Sequence, residues 1–177
     1  MKNKPFAALY YRDYRLLWSG QLISIAGSRM QSAAILWHVY DLTHSPIALG
    51  LVGLVNILPI IGFSLLAGVV ADAFDRRKLM LLTQSAMALL AALLGALTLL
   101  GLDKVWAIYA IAALSSACWA FDAPARQSLI PNLVPREHLP NAYSLSSTMF
   151  QLGSVVGPTV AGVLIARSGV AAAYGFN

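Results

Sequence analysis

Four groups of residues in this 177-residue sequence combine types and spacings that would do chemistry in a suitable setting. The first is Gly68-Val-Val-Ala-Asp72-Ala-Phe-Asp75-Arg76-Arg77-Lys78, a glycine, an acid four residues on, and a basic triplet at the end of an apolar run. Gly68 would let a neighbouring helix approach closely. Asp72, at the boundary of the run, would face the positive end of another helix. The triplet taken alone supports only a topology anchor. The second group is Gly153, Gly157 and Ala161, with Ser154, Pro158 and Gly162 beside them in a parallel row. Small residues every four positions let helices pack without a side-chain barrier. The Gly157-Pro158 pair also removes a helix hydrogen bond and permits a bend. Read alone, this is a generic packing face.

The third group lies on one helical face: Gln21, Ser24, Ser28, Gln31 and Ser32, with His38 continuing the face and Arg29 at its edge. Two readings stand: the wall of a substrate cavity, or hydrogen bonding between helices. Arg29 would bind an anionic substrate, pair with an acid, or snorkel. The fourth group is Asp122 and Arg126, spaced to pair along a helix, with Pro124 between them. It reads as an interfacial ion pair, or as a gate contact with the Asp72–Lys78 loop. Enzyme chemistry is not encoded. There is no nucleophile elbow, no HExxH and no phosphate-binding glycine loop. His38, His44 and His138 lack metal-ligand spacing, and Cys118 is the lone cysteine, so neither a metal nor another cofactor is expected.

The elements that must position these groups are membrane helices. Apolar residues make up 59% of the chain and charged residues only 11%, against about a quarter charged in soluble domains. The solvent for most of this surface is therefore a lipid bilayer. The net charge of +5 does not point to nucleic acid, because the basic residues sit in short clusters between apolar runs. Five runs, at about 16–40, 47–71, 79–101, 105–123 and 145–166, are each near the length of a helical span. A sixth begins at about 170 and covers less than half a span, so the chain reads as a piece of a longer bundle. Pro124, Pro131, Pro135 and Pro140 would break any continuous helix between the fourth and fifth runs. Trp18, Trp37 and Trp106 fall near the ends of runs, where aromatic belts form. Lys2, Lys4, Arg12, Arg15, Arg76, Arg77, Lys78, Arg126 and Arg136 lie at one set of ends, with only Lys104 and Arg167 at the other, which places the N-terminus in the cytoplasm.

Gly68, Asp72, Arg76 and Arg77 resemble the loop signature between the second and third helices of the major facilitator superfamily. Ala73 stands where that family usually has a basic residue, and Asp75 where it often has glycine. The ending Asp75-Arg76-Arg77 is similar to the branch containing siderophore and macrolide exporters, as are Tyr40–Pro46, Pro124–Gln127 and Leu133–Arg136. Gly153, Gly157, Pro158 and Gly162 resemble the helix-five motif of exporters and antiporters, with Ala161 replacing one glycine. The resemblance implies an all-α membrane protein: the N-terminal half of a two-half bundle, with five complete transmembrane helices and the start of a sixth. It implies a bacterial inner-membrane location and ion-coupled efflux of a small amphiphilic molecule by alternating access. Gly68, Asp72, Arg76, Arg77 and Lys78 would form a cytoplasmic gate, meeting a second six-helix half that lies outside this sequence or on another chain. The competing expectation is a non-transporting remnant, or a half-transporter module that pairs with a second chain.

Overall fold

A computed structural model describes residues 6–176. Lys2, Lys4 and the side chain of Asp72 lie outside the described residues. All regular structure among the described residues is helical: α1 (Arg12–Thr43), α2 (Pro46–Ala73), α3 (Arg76–Leu99), α4 (Val105–Leu133), α5 (Leu139–Ser168) and a short α6 (Val170–Gly175). Short 3-10 turns at Ala7–Tyr10 and Arg136–His138 precede α1 and α5.

Local chemistry sets the breaks. α1 ends where His44 takes a left-handed conformation, φ 48°, and its N–H bonds the Tyr40 carbonyl at 2.7 Å. Pro46 then opens α2 at a position where no backbone N–H is needed. Asp75 caps α3, accepting from the Arg77 N–H at 2.9 Å and the Lys78 N–H at 3.3 Å. This explains an acid where the resembling motif often has glycine. Gly101, φ +66°, turns the chain between α3 and α4, and Gly169, φ +79°, separates α5 from α6.

The break expected across 124–143 is shorter than that: it falls at 134–138, around Pro135. α4 runs unbroken through Pro124 and Pro131 to Leu133, and only five residues separate it from α5. The reason is burial. Ala125, Arg126, Leu129 and Ile130 lie on the extension and are all buried. Ala125 and Leu129 pack with Ala71 and Met80, and Ile130 packs with Tyr14, Val134, Ala142 and Leu145. That packing offsets two lost backbone hydrogen bonds. Such prolines are tolerated in membrane helices whose neighbours re-satisfy the freed carbonyls. The other helices also run past their apolar runs by a turn or so, because polar residues at the ends are compatible with helix.

α1 packs along α5, and α4 lies between α2 and α3. At one end Leu94, Ile108 and Tyr174 join Val39 and Val52 in a core shared by α1, α2, α3, α4 and α6. We call the other end, which carries Arg76, Arg77 and Lys78, the basic end. There Tyr14 Oη donates to the Ala142 carbonyl at 2.7 Å and Trp18 Nε1 to the Leu145 carbonyl at 3.1 Å. Trp18 is therefore a tie between α1 and α5, whereas Trp37 and Trp106 are exposed, as interface anchors are.

Four helical segments are long and apolar enough to cross a membrane: Pro46–Ala71, Arg76–Leu99, Val105–Leu133 and Arg136–Ser168. α1 has the length, at 32 residues, but its polar stripe keeps it outside that set. The outward faces are apolar: on α2 Leu65 is 85% exposed and Val69 68%. Apolar surface of this extent is not left to water.

Candidate functional site

The basic-end loop is built around two contacts. Asp75 holds the start of α3, as described. Arg76 reaches back and its Nη1 donates to the Ser128 carbonyl on α4 at 2.9 Å. Arg76 thus ties the α2–α3 connection to the end of α4. Arg77 lines a groove shared with Asp13 of α1, and Lys78 is exposed. The space beside Gly68 is open. A Cβ built there meets no atom within 4 Å, so no described helix uses the space.

The small-residue face divides in two. Gly153, Gly157 and Ala161 are buried, and the two glycines lie against α1. A Cβ on Gly157 would sit 2.6 Å from Arg29 Cβ, 2.8 Å from the Ala26 carbonyl oxygen and 2.8 Å from the Met30 nitrogen. At Gly153 the near atom is Ile25 Cγ2, at 2.6 Å. Glycine is required because the α1 backbone occupies the place of a side chain. The second row points away: Ser154, Pro158 and Gly162 are exposed, and a Cβ on Gly162 meets nothing within 4 Å.

The polar face of α1 is also divided. Ser28, Arg29, Gln31 and Ser32 line a cavity of about 260 Å³ closed by Asn56 and Ile60 of α2, Met87 of α3, and Ser115, Ser116 and Trp119 of α4. Ser116 Oγ donates to Asn56 Oδ1 at 2.9 Å, which joins α4 to α2 across this cavity. Arg29 is exposed, and no described acid pairs with it. Gln21 and Ser24 are not part of this cavity. Gln21 faces one at the basic end, and Ser24 lines a shallow recess with Gln84 and Met87. The residues of α2 and α4 had no sequence signal beyond small polar groups in apolar runs. Only helix crossing places them opposite α1.

Asp122 and Arg126 do pair, Arg126 Nη2 to Asp122 Oδ2, so Pro124 does not disturb the spacing. The pair is enclosed by protein. Asp122 is completely buried and Arg126 is 7% exposed. Asp122 Oδ1 accepts from Thr83 Oγ1 at 3.1 Å and Gln84 Nε2 at 3.4 Å, both on α3. The Arg126 guanidinium lies 5.8 Å from the centre of the Phe150 ring on α5. The pair thus joins α3, α4 and α5, and Arg76 of the loop reaches α4 at Ser128.

His38 departs from the stripe as well. At the end opposite the basic loop its Nε2 lies 2.6 Å from Asp103 Oδ2, and its Nδ1 lies 3.1 Å from the Tyr174 hydroxyl. This buried cluster links α1, the α3–α4 turn and α6. Asp103 and Tyr174 are 65 and 136 residues from His38 in sequence, so no local pattern announces them.

A family model described as transmembrane secretion effector matches residues 3–177. Among curated proteins the chain is similar to macrolide efflux protein A of Streptococcus pyogenes, 29% identical over 161 residues, covering 87% of this chain and 39% of that protein. It is similar to the staphyloferrin A transporter of Staphylococcus aureus, 28% identical over 153 residues, covering 86% of this chain and 38% of that protein. It is also similar to the enterobactin exporter EntS of Salmonella choleraesuis, 30% identical over 163 residues, covering 92% of this chain and 39% of that protein. The chain thus spans about two fifths of the length of the curated relatives it matches. No solved structure matches it.

Proposed function

The chain belongs to the transmembrane secretion effector family of the major facilitator superfamily, and from that premise we propose that it forms the N-terminal bundle of an efflux carrier for a small amphiphilic molecule, a drug or a siderophore. In this reading α1 is a fifth membrane span, its polar face turned to the cavity and not to lipid. α6 starts a sixth. The basic end faces the cytoplasm. A second bundle, on the same polypeptide or a separate one, completes the substrate path, and the two rock around a site near mid-membrane under an ion gradient.

The observation that carries this reading is the cavity formed by Ser28, Arg29, Gln31, Ser32, Asn56 and Ser116. It combines polar groups, an arginine without a described acidic partner, and apolar walls from Ile35, Ile60 and Met87. An amphiphile needs that mixture. In cells carrying the complete carrier, Arg29→Ala is expected to lower export about tenfold, the loss of one charge-assisted hydrogen bond. Membrane-inserted yield should stay unchanged. Normal export at normal yield would reduce Arg29 to a tolerated charge.

Gly68, Asp72, Arg76, Arg77 and Lys78 serve in this reading as the cytoplasmic gate. The open space at Gly68 and the exposed row of Ser154, Pro158 and Gly162 support docking against a second bundle. The same faces suit a half-transporter module that pairs with another chain. The purified 177-residue chain in liposomes is expected to show no substrate-dependent flux. Robust flux without a partner would contradict the need for a second bundle, unless crosslinking showed two copies assembled into one carrier.

A further inference from the structure

Arg126 is more than half of an ion pair. Its Nη2 is committed to Asp122, but Nε and Nη1 are buried without any acceptor among the described residues. A guanidinium carries one hydrogen on Nε and two on Nη1, so three donors are buried and unmatched. Burying such groups costs free energy unless something accepts from them. Asp122 does not share this imbalance, because its second oxygen already accepts from Thr83 and Gln84.

Arg126 lines a cavity of about 310 Å³ between α1, α4 and α5 at the basic end. Its wall includes Trp18, Gln21, Tyr143, Ser147 and Phe150 along with Arg126. The volume sits at the lower end of the range of small-ligand sites. Gln21 is also buried, and its Oε1 is an acceptor without a donor. So Arg126 and Gln21 both line this cavity, and each carries a buried polar atom that the other does not match. Aromatic rings supply an apolar wall beside them. The surrounding end of the bundle is rich in Arg12, Arg15, Arg76, Arg77, Lys78 and Arg136, which favours an anion over a cation.

We propose that this cavity binds an oxyanion, a carboxylate or phosphate carrying a hydroxyl group, with the anion on Arg126 and the hydroxyl donating to Gln21. The source of the oxyanion is either a soluble amphiphilic acid or the headgroup of an anionic lipid. Binding here is separate from the Arg29 cavity and holds whether or not the chain transports anything.

The test uses the full 177-residue chain in nanodiscs and radiolabelled 4-hydroxybenzoate as probe. In phosphatidylcholine discs the probe is expected to bind saturably. The neutral 4-hydroxybenzyl alcohol should not compete. Arg126→Lys keeps a cation beside Asp122 but removes the forked donors, and should weaken binding about tenfold. The double variant Asp122→Asn with Arg126→Gln leaves no buried charge unpaired and should abolish it. Circular dichroism on both variants confirms that each is folded. In phosphatidylglycerol discs, loss of probe binding to the wild-type chain would assign the site to the lipid headgroup, and retained binding would assign it to the soluble acid. Equal competition by the neutral alcohol would overturn the proposal, as would equal binding by folded Arg126→Lys. Absence of saturable probe binding in phosphatidylcholine would overturn it too, unless phosphatidylglycerol raised the thermal stability of the wild-type chain and not of the double variant.

Discussion

Gly157→Ala is expected to destabilise the bundle by about 1–3 kcal/mol, the usual cost of forcing an extra methyl into a packed contact. The added Cβ would stand 2.8 Å from both the Ala26 carbonyl oxygen and the Met30 nitrogen. Those are backbone atoms of α1, so no rotamer change relieves the clash, and α1 and α5 must separate. Because α1 packs more extensively on α5 than on any other element, the effect should reach the whole bundle. Gly153→Ala should cost less. Its near neighbour is one side-chain methyl, Ile25 Cγ2, although a β-branched side chain yields only partly. Gly162→Ala and Gly68→Ala meet nothing within 4 Å and should fall within about 0.5 kcal/mol of the parent chain. Thermal unfolding in detergent, followed by tryptophan fluorescence, ranks all four. Equal effects at Gly157 and Gly162 would show that the seam is not where glycine is required.

The buried pair supplies the second large effect. Removing Arg126 as Arg126→Ala leaves Asp122, wholly enclosed, with only Thr83 and Gln84 to meet its charge. Breaking a buried pair from one side costs about 3–5 kcal/mol. Replacing both partners by neutral isosteres, Asp122→Asn with Arg126→Gln, should cost far less, because no charge is then stranded. The comparison is a double-mutant cycle read by the same unfolding assay, with membrane-inserted yield as a second measure. A double variant as unstable as Arg126→Ala would mean that the shape of the side chains, not their charge, holds α3, α4 and α5 together.

Sequence and structure agree best where the cause is local. The apolar runs set helix because lipid offers no partner for an open backbone. The spacing of Gly153, Gly157 and Ala161 announced a close helix contact, and α5 makes one with α1. The ion pair of Asp122 and Arg126 followed from four-residue spacing alone. The disagreements share a different cause. Pro124 and Pro131 carry a cost in an isolated helix that the burial of Ala125, Leu129 and Ile130 on the same stretch outweighs, whereas Pro135 falls in the break. The four-residue spacing does not tell how far the pair is enclosed: α4 continues past it, and its neighbours bury both side chains. Seven polar or charged positions on α1 looked like one stripe. Helix crossings divide them among the Arg29 cavity, the Arg126 cavity, a recess at Ser24 and the His38 cluster.

By itself, then, the sequence determined the solvent, the helical state, the glycine seam on α5 and the charge asymmetry of the ends, because each depends on residues within a few turns of one another. Tertiary structure alone decided which groups share a cavity. His38 with Asp103 and Tyr174, Asn56 with Ser116, and Gln21 with Arg126 are brought together by crossing angles and helix lengths. Those depend on how whole faces pack, and no local periodicity encodes them.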